Sequence, residues 1–182
     1  VGRLADAEDQ FIGPILIAVA NGGPDDDTYR SLAASTPRVM AERGLDVLTG
    51  YGPRSEILAC GHFAGRVGET DPVARAAAAP VGSPTLTAVR LLEHGKVAAR
   101  LAVQSTRFAR SPLGVQVLVA GGRRLGTSFI RQLRLSAGTQ VQIRGSDGAV
   151  LAGPRDWARY AGYPQRSVRL GGGATTAAVV IA

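Results

Sequence analysis

The sequence predicts an α+β fold built on an antiparallel sheet. Three observations carry this: the elements run in the order helices, two strands, helix, three strands, the strand-like runs are joined by tight hairpin turns, and the crossovers that parallel pairing needs after nearly every strand are missing. From Arg3 to about Ala20, charges mix with Leu4, Phe11, Ile12, Leu16 and Ile17 at near-helical spacing. Asn21-Gly22-Gly23-Pro24 interrupts the pattern. A second helix follows, with Asp25, Asp26 and Asp27 at its dipole-positive end and Gly44 as its stop. Pro37 is expected to kink it or to restart a helix at Thr36-Pro37.

Strand signals then take over. Leu45–Tyr51 and Ser55–Phe63 flank a Gly-Pro turn and read as a hairpin. Gly68–Ala79 reads as a short helix with Asp71 as N-cap and Pro72 in its first turn. Thr85–Leu92, a Glu93-His94-Gly95 turn and Val97–Ser105 form a second hairpin, and Gly114–Gly122 adds a fifth strand. The pattern restarts after Gly122. Gly126–Gly138 reads as a capped helix, Thr139–Gly153 as a hairpin around Ser-Asp-Gly, and Ser167–Ala182 as a hairpin around three glycines. Trp157, Tyr160 and Tyr163 form a small aromatic group suited to plugging the core of this second module. The second half thus repeats the first in shortened form, helix and hairpin, then an irregular segment and another hairpin, without a sequence period. The expected division is residues 1–125, and a smaller, truncated α+β module over 126–182.

Bulk properties exclude several classes. The apolar fraction of 45% is that of a folded core. No apolar run reaches the roughly 18 residues of a membrane span, and Phe11–Ala20 is broken by Gly13-Pro14. The chain opens on Val1 and shows no signal peptide, so any anchor is expected outside it. The net charge is +7, but the basic residues are scattered and Lys96 is the only lysine, which fits a GC-rich coding bias. With few aromatics for stacking, nucleic acid is not an expected partner. Cys60 is the only cysteine, so no internal disulfide forms. Two histidines and one cysteine do not make a zinc site, and no nucleophile elbow or phosphate loop is present, so neither a cofactor nor catalysis is expected.

One charge stands out. Alternation puts Arg100, Ala102 and Gln104 on one face of an apolar strand. A buried arginine there needs either an internal acid, such as Glu69 or Asp71, or an anion from outside. A guanidinium offers a planar fork to a carboxylate. An exposed Arg100 would need neither.

Tyr51–Pro72 resembles the extracytoplasmic PAS-like sensor domains called Cache or PDC domains, in which the returning strand ends in a Ser/Gly-His segment and then Arg-hydrophobic-Gly; here these are Gly61-His62 and Arg66-Val67-Gly68. Arg100 through Gly114-Val115-Gln116-Val117 is similar to the last hairpin of citrate and fumarate sensor kinases. Val117–Gly153 looks like the region that links sensor and membrane in sensor histidine kinases of the nitrogen-regulation type.

The resemblance implies a PAS-like five-stranded antiparallel sheet with long N-terminal helices behind it. The ligand pocket would lie on the other face, under the loop after the second strand. It also implies a periplasmic location, membrane anchors in flanking segments, and a homodimer that signals through its N-terminal helices. The implied ligand is a small molecule, possibly a small carboxylate, and the implied pocket residues are His62, Arg66 and Arg100, with Arg90 and Gln104 behind them. Two positions depart from the carboxylate sensors: Ala59 replaces an arginine, and Ala102 replaces a polar or aromatic contact, so a dicarboxylate clamp is incomplete. His62 has a second reading, as a strand-end histidine bonded to backbone, and Arg66 as a solvated loop residue. The competing expectation for the whole chain is a dimerisation or protein-interaction module with its cavity filled by side chains.

Overall fold

The computed structural model describes residues 11–71, 84–132, 139–144, 148–162, 165–170 and 175–181, with backbone alone for 132, 165–170 and 175–181. The chain divides into two compact units, residues 1–123 and 124–182.

The first unit opens with two helices, α1 (Gly13–Ala20) and α2 (Asp26–Glu42). Asp25 caps α2 by accepting from the Thr28 N–H at 2.8 Å, and this bond holds its carboxyl below the usual range. The helix continues through Pro37 as one element. The Thr36 and Ser35 hydroxyls bond back to the Leu32 and Ser31 carbonyls one turn earlier.

Five strands follow: β1 (Val47–Tyr51), β2 (Ile57–Cys60), β3 (Thr85–Glu93), β4 (Lys96–Arg110) and β5 (Gln116–Arg124). They form one curled sheet in the order β2-β1-β5-β4-β3, the PAS-like α+β arrangement expected from the sequence. The β3–β4 turn is a two-residue loop with positive φ at both His94 (50°) and Gly95 (77°), which matches strand twist and pairs Glu93 with Lys96. β4 runs to Arg110, five residues past the expected end, because Phe108 packs on one side of the sheet and Ala109 on the other.

Alternation along β1 divides the unit into two cores. Leu48, with Leu58, Ala59 and Val117, faces the helices and packs against Phe11, Ile12, Ile15, Leu32 and Val39. Tyr51, with Ile57, Cys60, Leu118 and Ala120, faces the other way, under Phe63 and Val67 of the loop after β2. Gly50 lies on the helix side, where a Cβ would stand 2.7 Å from Ile15 Cδ1, so α1 rests directly on the β1 backbone.

In the second unit, α3 (Thr127–Gln132) precedes β6 (Thr139–Arg144), β7 (Val150–Ala152), β8 (Gln165–Leu170) and β9 (Thr175–Ile181). The sheet order is β7-β6-β9-β8. Substituting β1 for β6, β2 for β7, β4 for β8 and β5 for β9 reproduces the first sheet without β3. Val117–Gly153, similar in sequence to a membrane-proximal linker, instead supplies β5, α3, β6 and β7 among its described residues. Gln142 is fully buried and bonds Pro154 O and Arg144 Nε. The rings of Trp157 and Tyr160 meet at a tilt of 54° with centroids 5.5 Å apart, and Tyr160 is buried. Tyr163, the Gly68–Ala79 helix beyond Asp71, the Arg3–Gln10 start of the first helix and the end of the Gly126–Gly138 helix lie outside the described residues.

The tightest backbone approach in the first sheet is at Gly122, where a Cβ would lie 2.8 Å from both Cα and Cγ of Gln104 and closer still to Val103 O. Neither strand backbone can yield cheaply. Gly122→Ala is expected to lower unfolding free energy by about 1–3 kcal/mol, read as a drop in the urea midpoint at unchanged slope.

Candidate functional site

The face of the first sheet opposite the helices holds a cavity of about 270 Å³. Its described walls are Thr49 and Tyr51 of β1, Ala120 of β5, Gln104 and Thr106 of β4, Thr85, Thr87, Ala88 and Val89 of β3, and His62, Arg66 and Asp71 from the segment after β2. The period of two sets these positions, since Thr85 pairs with Gln104, Thr87 with Ala102 and Val89 with Arg100 on the same side. Ala102 is fully buried and small, which leaves room beside Thr87.

The segment after β2 is held by backbone and by charge. The N–H groups of Ile57 and Gly68 donate to Glu69 O and Ile57 O, and the Asp71 N–H donates to Ser55 O, so the segment runs back along β2. Arg66 is 8% exposed. It donates from Nε to Glu69 Oε2 and from Nη2 to Asp71 Oδ2, both at 3.0 Å. Burial alone would lower its pKa, but the bonds to Asp71 and Glu69 outweigh this and raise it, so it stays charged. Glu69 Oε2 also accepts from Arg90 Nη2 of β3 at 2.6 Å. β2 and β3 are opposite edges of the sheet, so Glu69 ties the loop of one edge to the strand of the other.

His62 accepts from the Leu48 N–H at Nδ1 (3.3 Å), which fixes the strand end, and it also lines the cavity. Burial, with the Arg66 charge adding to it, pushes its pKa down to about 4, so the ring is neutral near pH 7. Cys60 Sγ lies 3.6 Å from Nε2, but burial raises the thiol pKa. The pair is therefore thiol and imidazole, not the thiolate and imidazolium that a nucleophilic site uses. Burial and the Asp71 charge raise the Tyr51 phenol to about 12, so its hydroxyl keeps its proton. Among the described residues no cluster of His, Cys, Asp and Glu is placed to hold a metal ion.

Three of the five sequence-derived candidates, His62, Arg66 and Gln104, meet on the cavity wall. Arg100 does not. It shares the cavity's face of the sheet, but its side chain is 48% exposed and turns to Glu93, with Nη2–Oε2 at 2.6 Å and Nε–Oε1 at 3.3 Å. Its acid comes from its own hairpin, whereas Glu69 and Asp71 belong to Arg66. Arg90 is 52% exposed, outside the wall, and acts through Glu69. The residues missed were Tyr51, Asp71 and the threonines 49, 85, 87 and 106. The alternation of Thr85, Thr87 and Val89 carried the signal for β3.

No family model matches the chain, and no curated protein matches it. Solved structures do, and they define the class of fold: the periplasmic and extracellular sensor domains of bacterial receptors, histidine kinases among them. The periplasmic domain of LuxQ from Vibrio cholerae superposes with a TM-score of 0.54 at 12% identity, covering 98% of this chain and 90% of that one. The sensor domain of the V. cholerae histidine kinase DctB gives 0.52 at 9% identity, covering 96% and 84%. A domain of a putative sensory box/GGDEF family protein from Vibrio parahaemolyticus gives 0.51 at 9% identity, covering 98% and 92%. At such identities the likeness is one of fold.

Because the folded-state pKa of His62 lies near 4, below the ordinary 6.5, the unfolded chain takes up its proton first on acidification. Stability from the neutral ring is complete above about pH 6.5 and is lost as pH falls towards 4. The melting temperature of His62→Asn, which keeps an acceptor for the Leu48 N–H, is expected to fall less steeply between pH 7 and pH 4.5 than that of the parent. Parallel profiles would show that His62 does not carry this dependence.

Proposed function

We propose that this chain is the extracytoplasmic sensing domain of a membrane-bound signal-transduction histidine kinase, and that it binds a small molecule in the cavity beneath the loop after β2. The observation that carries the reading is a cavity, lined by apolar surface with several polar side chains, on the helix-free face of a sheet whose fold is shared with the LuxQ periplasmic domain and the DctB sensor domain. The role is recognition without catalysis, and the described cavity wall holds no activated nucleophile.

The output path runs through β1. Thr49 and Tyr51 face the ligand space, while Leu48 and Gly50 of the same strand carry α1. A ligand that prefers one position of the Arg66 loop shifts β1, and so the seating of α1, by biasing a two-state equilibrium. In the intact receptor these helices pair in a homodimer, and hydrophobic spans flank the domain ahead of a kinase core.

A thermal-denaturation screen of small polar metabolites tests the reading. Saturable hits are expected to raise the melting temperature by mass action. The shift is expected to persist in Arg100→Ala, whose side chain is outside the cavity, and to weaken in Arg66→Met, which frees the loop. A library without hits, together with a melting temperature that depends on protein concentration, would instead favour an interaction module.

A further inference from the structure

The cavity's charged groups are engaged with one another, and its unengaged groups are neutral. Arg66 is bound by Glu69 and Asp71, and Glu69 is bound again by Arg90, so two cations and two carboxylates cancel. A carboxylate entering the cavity would have to displace Asp71 from Arg66. Against this stand two neutral groups. Thr87 Oγ1 is buried and has no hydrogen-bond partner among the described residues. The Gln104 side chain is largely buried and lines the cavity. Leaving a buried hydroxyl unpaired is costly, and native proteins rarely do so without water or a ligand.

The placement of these groups is built into the sheet. Gly122 lets the Gln104 stem cross where any Cβ would collide with it, and Ala102 opens the space beside Thr87. Around them stand Tyr51 and Thr106, together with Thr49 and Thr85, whose hydroxyls already donate to Cys60 Sγ and Gln104 O and so offer a ligand only acceptor positions. An amide gives two donors and an acceptor, and each hydroxyl gives one donor and two acceptor positions. That inventory matches alternating donors and acceptors on an uncharged molecule. A cavity of about 270 Å³ falls just below the usual range for drug-sized ligands, so the molecule is small.

We propose that the ligand is a small, neutral, polyhydroxylated molecule of monosaccharide or polyol size, held by Gln104 and Thr87 rather than by ion pairing to an arginine. This deepens the sensor reading and rests on it. Neutral His62 adds a further uncharged partner to the wall.

Isothermal titration of the chain with three matched sets tests the proposal: neutral polyols and monosaccharides, small mono- and dicarboxylates, and zwitterionic amino acids. Saturable binding is expected in the neutral set alone. Gln104→Leu, of similar volume, is expected to keep a cooperative thermal transition and to lose at least tenfold in affinity. Thr87→Val, of the same shape without the hydroxyl, is expected to lose severalfold. Binding of carboxylates or amino acids but not of neutral compounds would overturn the neutral class and leave the sensor reading standing. Absence of binding in all three sets would overturn both. Neutral binding undiminished in both variants would place the ligand elsewhere and overturn the proposal.

Discussion

The first unit depends on one buried cation. Arg66 lies in a short 3-10 turn, Ala64–Arg66, and reaches back to acids three and five residues ahead of it. A guanidinium removed from water is unfavourable unless it is paired and hydrogen-bonded, and two carboxylates each accept one of its N–H donors at 3.0 Å. The loop therefore folds back on itself, with Phe63 and Val67 against the sheet. Glu69 then carries the connection on to β3. Without this chain of charge the cavity would lack a roof, since β2 and β3 are the two separated edges of the sheet.

A second constraint is the thinness of the sheet at β1. The strand is buried along its whole length because both of its faces are covered. At Gly50 no side chain separates Ile15 from the backbone, and at Gly61 a Cβ would stand 3.1 Å from the Thr36 carbonyl of α2. Helices and cavity wall are thus separated by a single layer of backbone. Interiors packed this closely transmit displacement instead of absorbing it.

The elements were largely readable from the residues, because antiparallel hairpins are local: alternation, a turn residue and alternation again define β3 and β4, and Asp25 with its neighbours marks the start of α2. The face of Arg100 was readable for the same reason. Its depth was not. A period of two assigns a side of the sheet, but where that side is roofed depends on the loop after β2, which is remote in sequence. Glu93, seven residues before Arg100, meets it only because the His94-Gly95 turn sets the register. Glu69 and Asp71 are legible in the sequence as partners for an arginine, but the nearer one, Arg66, takes both. The threonines of the wall are not legible as such, because a threonine reads equally as a strand former or as a binding group until its surroundings are known.

The second sheet reuses the order of the first but, among the described residues, stops one strand short. The missing counterpart is β3, which in the first unit supplies Thr85, Thr87 and Val89 to the wall and Arg90 to the roof. Among the described residues, then, the same scaffold is built twice and only the first copy carries the edge strand that encloses space. The contents of that space can therefore be altered through one edge hairpin, β3–β4, without touching the strands that the two copies have in common.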